Sequence, residues 1–72
     1  MISLEERKKS IEHKIFKDVI YMKNLSNIST YQICKDLSFD EETITEYILG
    51  KSKDDVSLGL QLLNYLEKKY NG

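Results

Sequence analysis

The chain contains no proline, and its glycines stand only at Gly50, Gly59 and Gly72. Proline inside a helix costs about 3 kcal/mol or more, and glycine about 1 kcal/mol relative to alanine. A 72-residue chain with so few breakers favours long helices joined by short connections. A chain of this size hides only about 60% of the surface its unfolded form exposes. It therefore makes one small domain of marginal stability, spanning residues 1–72. With 40% apolar and 32% charged residues, the composition is that of a soluble globular domain rather than a disordered tail.

Cap signals divide the chain. Ser3 with Glu6 three residues later forms a capping box, and Ile11, Ile15, Val19 and Met22 recur on one helical face that Phe16 and Ile20 widen. The spacing predicts a long first helix over residues 4–23, with residues 24–28 as a connection. Ser29 and Gln32 repeat the capping pattern and open a second helix over 30–37. Ser38 and Phe39 form a turn, and Asp40 is expected to cap a third helix that ends near Leu49. Gly50 then takes the position after the helix, where a positive φ carries little steric cost. Asp54 or Asp55 caps a fourth helix whose inner face reads as Val56, Leu60, Leu63 and Leu66, with Tyr70 closing it. The expected architecture is all-α: a compact bundle of four helices, or five if a short last one forms.

The single cysteine, Cys34, has no internal partner. A small domain without disulfides or a metal cluster reads as intracellular. No apolar run approaches the roughly 18 residues needed to span a bilayer, and the first residues lack a secretory leader's apolar core. The expectation is a cytoplasmic protein, monomeric when free, with no membrane partner. His13 is a lone histidine among charged neighbours and reads as surface. Without a Cys/His cluster no zinc-type site is expected. Nothing in the sequence suggests a catalytic triad, a phosphate-binding glycine loop or a carboxylate pair in a cleft. Neither an enzyme nor a cofactor is expected.

Charge is divided along the chain. The net charge is −1, well short of the basic balance typical of nucleic-acid binders. Residues 1–27 carry six cations and four anions, a net of +2. Residues 28–55 carry three cations and seven anions, a net of −4.

Residues 29–51 read S-T-Y-Q-I-C-K-D-L-S-F-D-E-E-T-I-T-E-Y-I-L-G-K. On this segment and its flanks, residues 15–66 resemble the lambda-repressor-like (Cro, XRE-type) helix-turn-helix family. The resemblance implies Ile15, Val19 and Met22 as the core face of the first helix. It makes Cys34 the small buried residue of helix two and Leu37 that helix's last core position. Ser38 and Phe39 match the turn, Ile44 and Tyr47 the buried residues of the recognition helix, and Gly50-Lys51 the pair that follows it. The departures are specific. Glu41 and Glu42 begin the recognition helix where polar or basic residues are usual. Asp54 replaces a common proline, and Gly59 stands where an apolar core residue is common. The first helix is also about ten residues longer than the family requires.

Such a scaffold normally meets DNA, whose phosphates are gripped mainly by Lys and Arg. Here the reading helix carries Asp40, Glu41, Glu42 and Glu46. Capping and the helix dipole explain first-turn acids at about 0.3–1 kcal/mol each. They do not explain Glu46, which lies four residues from Glu42 and repels it. One carboxylate is compatible with reading cytosine; four without an arginine are not. The face formed by Tyr31, Asp40, Glu41, Glu42, Thr45, Glu46 and Leu49 is therefore expected to meet a basic protein surface. Ile48 fits either that face or the core.

Small acidic members of this family that lack a dimerisation domain resemble temperate-phage antirepressors of the modulator-of-repression type. The resemblance implies a partner, the N-terminal DNA-binding domain of a repressor. Its occlusion would keep the repressor from its operator and favour the lytic branch of the lysis–lysogeny switch. The alternative is a Cro-like regulator acting on operator DNA itself, alone or with the repressor, for which Lys51 and Lys53 are the phosphate-contact candidates. A third class is an antitoxin-like interaction module directed at some other protein. The basic residues of helix one, Arg7 to Lys17, read as a solvated face.

Overall fold

The computed structural model describes residues 3–72. They form four α-helices: α1 Leu4–Ser26, α2 Thr30–Leu37, α3 Glu41–Ile48 and α4 Val56–Asn71. No strand and no fifth helix occur among the described residues. The caps explain most boundaries. Ser3 Oγ accepts the Glu6 N–H at 3.2 Å and Ser29 Oγ the Gln32 N–H at 3.2 Å. Between the two candidates at the start of α4, Asp55 supplies the cap, its carboxylate accepting the Leu58 N–H at 3.0 Å.

The first helix runs three residues further than its apolar spacing predicts. It ends where Asn27 enters the left-handed region at φ 52° and donates its N–H to the Asn24 carbonyl. Asparagine tolerates that conformation better than most residues. Ser38 does the same at φ 60° after α2, and Gly50 follows α3 at φ 85°.

Helices α1 and α4 lie side by side and run in the same general direction. Ile15 abuts Gly59, and Ser26 Oγ donates to the Leu66 carbonyl at 3.4 Å. Helices α2 and α3 form the second pair. Between the pairs lies one core of Val19, Ile33, Cys34, Ile44, Tyr47, Leu58, Leu62 and Leu66, flanked by Ile15, Phe16, Met22, Leu37 and Phe39. Burial of each large side chain contributes roughly 1.5–3 kcal/mol. The Phe16 and Tyr47 rings meet at a centroid distance of 5.7 Å and join α1 to α3.

The apolar spacing misassigned two core faces. Ile11 is exposed rather than buried, because the first turns of α1 run past the start of α4 and along the loop that holds Asp54. On α4 the inner face is Leu58, Gly59, Leu62 and Leu66; Val56 and Leu63 are half-buried, and Leu60 and Tyr70 are exposed. The leucines at 58, 60, 62, 63 and 66 fit more than one helical phase. The phase is set by Gly59, against which Tyr47 and Ile15 pack.

A candidate protein-binding face on the third helix

Ile44 and Tyr47 are fully buried and fix how α3 rolls against the core. Outward positions follow from a helix turning about 100° per residue. Glu42, Glu46 and Leu49 make one outward row, and Glu41, Thr45 and Leu49 a second beside it. All five, and Asp40 before them, are exposed. Leu49 is 66% exposed at the end of the helix, and Tyr31 is 64% exposed in the first turn of α2. Ile48 instead packs against the core.

Asp40 occupies the cap position of α3 without acting as a cap. Its backbone is extended, but its carboxylate accepts no N–H bond, whereas Ser3, Ser29 and Asp55 each accept one. The expectation of a side-chain cap at Asp40 is thus corrected. The turn is joined instead through backbone atoms, the Phe39 N–H donating to the Cys34 carbonyl at 3.1 Å and Cys34 Sγ lying 3.8 Å from the Asp40 carbonyl. Burial, with Glu41 nearby, pushes the Cys34 thiol above its usual range.

One salt bridge forms among the described residues, Lys69 to Asp36 at 3.5 Å. Among the described residues no cation lies at salt-bridge distance from Asp40, Glu41, Glu42 or Glu46. Of the two phosphate-contact candidates, Lys51 is exposed just past α3. Lys53 is folded back, its ammonium 4.9 Å from the Phe16 ring centroid.

Asp36 is the acid of this segment that the fold engages internally. It accepts bonds from Gln32 Nε2 at 2.8 Å and from the Tyr65 hydroxyl, and pairs with Lys69. The Tyr65 hydroxyl, the strongest of these donors, helps hold the Asp36 carboxyl below its usual range. Burial, with that bond to Asp36, pushes the Tyr65 phenol up to about 12. The pair ties α2 to α4 and so orients the α2–α3 unit on the scaffold. The four-residue spacing of Gln32 and Asp36 announces half of this anchor; the Tyr65 half is a tertiary contact with no local signature.

No cluster of three or more His, Cys, Asp or Glu residues with metal-binding geometry occurs among the described residues, and none of their helices is long and apolar enough to cross a membrane. Comparison of the chain with protein-family models, curated proteins and solved structures finds no match.

Proposed function

We propose that the chain is a helix-turn-helix antirepressor that uses its acidic third helix to occupy the DNA-binding face of a repressor. The observation carrying this reading is the set of four exposed carboxylates, Asp40, Glu41, Glu42 and Glu46, without a cation partner among the described residues. Asp40 strengthens it, because its carboxylate is not used to cap the helix it precedes. A surface of this kind is repelled by phosphate and attracted by the lysines and arginines with which a repressor grips DNA. Charge complementarity sets approach and orientation, and the exposed apolar groups Tyr31 and Leu49 supply contact area. Repressor held in this way is lost to its operator, which favours the lytic cycle in the cytoplasm of a bacterial host.

The test is displacement. Added protein is expected to release repressor from operator DNA, and Glu41→Lys combined with Glu42→Lys to abolish release while the helical circular dichroism is retained. Full release by a folded double variant contradicts the acidic-face mechanism. The Cro-like alternative predicts instead a shift of operator DNA by the isolated protein.

A further inference from the structure

A second surface lies along α1, apart from the acidic face. Leu4 is 81% exposed, Ile11 57%, Tyr21 64% and Leu25 42%, which is half of the large exposed apolar residues of the described chain. Leu4, Ile11 and Leu25 recur at multiples of seven, and Tyr21 stands four before Leu25. Arg7, Lys14 and Asp18, all exposed, fill the remaining places of an alternating three–four spacing. That spacing draws a seam down the whole helix, about 32 Å long at 1.5 Å per residue, like the contact seam of paired helices. The seam sits about 140° around α1 from Phe16, measured to Tyr21. Because Phe16 is the residue that meets Tyr47 of α3, the seam and the acidic face point to different sides.

We propose that this seam is a self-association surface, on which a second copy packs its own α1 antiparallel about a two-fold axis. The charges select the occupant and its direction. In the antiparallel register that places Lys14 opposite the partner's Asp18, the symmetry places Asp18 opposite the partner's Lys14. The neighbouring layers then match Ile11 with the partner's Tyr21, and Tyr21 with the partner's Ile11. Leu25 falls beside the aliphatic stem of the partner's Arg7. A parallel pairing stacks the apolar residues on their own copies but sets Lys14 against Lys14, Asp18 against Asp18 and Arg7 against Arg7, so that every charged layer is repulsive. Among the described residues neither Lys14 nor Asp18 is engaged in an ion pair, which leaves both available for this exchange. An isologous contact of this kind closes after two copies. One helix pair buries less than the roughly 1,200 Å² of a stable standard interface, so the dimer is weak and concentration-dependent. It replaces the expectation of a purely monomeric free protein and leaves both acidic faces outward. It does not depend on the antirepressor reading.

The test is sedimentation equilibrium of the full chain from micromolar to millimolar concentration. The expected mass rises from 8.5 kDa toward twice that value. Lys14→Asp alone and Asp18→Lys alone are each expected to weaken self-association at least tenfold, since like charges then face each other. An equimolar mixture of the two variants is expected to associate again, because acids on one copy then meet lysines on the other. Circular dichroism melts of each variant confirm that the fold is retained. A wild-type chain that stays at monomer mass to millimolar concentration overturns the proposal. Single variants that associate as the wild type does overturn it equally.

Discussion

The hydroxyl of Tyr47 occupies the space that a Cβ on Gly59 would need, so α3 seats on α4 through a missing side chain. The same Cβ would fall 2.8 Å from Ile15 Cγ2. The Tyr47 side chain is fully buried, and no donor or acceptor among the described residues reaches its hydroxyl. Burial pushes that phenol's pKa upward. In an open helix Gly→Ala stabilises by about 1 kcal/mol. Here Gly59→Ala is expected to destabilise by about 1–2 kcal/mol through overpacking. Tyr47→Phe is expected to be neutral or to stabilise by about 1 kcal/mol, since it removes an unsatisfied buried hydroxyl. In the double variant the two effects are expected to couple in part, because the atom removed is one of the two that collide and Ile15 Cγ2 remains. Urea denaturation of the three variants checks this, and a gain of stability in Gly59→Ala contradicts the packing described.

The bond from Tyr65 to Asp36 gives stability a pH window. The Asp36 carboxyl is depressed in the folded state, so its contribution is complete above the unfolded value of about 3.9 and is lost as pH falls through the folded one. The Tyr65 phenol is raised to about 12, so its contribution is complete below the unfolded value of about 10 and is lost as pH rises toward 12. Tyr65→Phe is expected to flatten both limbs of a plot of Tm against pH. Ultraviolet titration of the same variant should lose one late-ionising tyrosine, leaving Tyr47 as the late member. Loss of a normally ionising tyrosine instead, with the late phase unchanged, contradicts the bond.

The helix caps separate structure from function at two aspartates. Asp55→Ala removes a carboxylate that accepts the Leu58 N–H and is expected to lose about 1 kcal/mol. Asp40→Ala removes one that accepts nothing and is expected to lose less than Asp55→Ala does, toward the lower end of the about 0.3–1 kcal/mol of the dipole contribution alone. Equal losses at the two positions, measured by thermal melts, would mean that Asp40 serves the fold after all.

Much of this arrangement was legible in the sequence. Ser3, Ser29 and Gly50 mark helix ends because capping and positive φ each demand few residue types, and the structure places all three as expected. Cys34, Ile44 and Tyr47 are buried, as the helix-turn-helix resemblance of residues 29–51 implies. The phase of α4 was not legible, because five leucines within nine positions support several faces and the deciding contact is Tyr47 against Gly59. The exposure of Ile11 was equally hidden, since an apolar row does not report where its covering helix begins. At the candidate site, the exposure of Glu41, Glu42 and Glu46 followed from the burial of Ile44 and Tyr47. The diversion of Asp36 to Tyr65 and of Lys53 to Phe16 rests on tertiary contacts that no spacing encodes.

Exposed apolar groups at the candidate site separate binding from folding. Tyr31→Ala and Leu49→Ala remove little buried surface, so each is expected to change stability by less than about 0.5 kcal/mol. If the face binds a protein, each is expected to weaken that complex by about 1 kcal/mol or more, mainly through faster dissociation. Surface plasmon resonance against immobilised repressor domain reads both quantities. Unchanged dissociation in both variants would move the contact off this face.

Whether the acidic third helix meets a protein or DNA separates the antirepressor proposal from its alternative. It is tested by the fluorescence anisotropy of a labelled operator duplex titrated with the chain alone, with repressor alone, and with both. An acidic face that meets repressor gives no change with the chain alone, even at low salt, and loss of the repressor signal when the chain is added to the repressor–operator complex. A rise in anisotropy with the chain alone, falling steeply as salt increases, would contradict the antirepressor proposal.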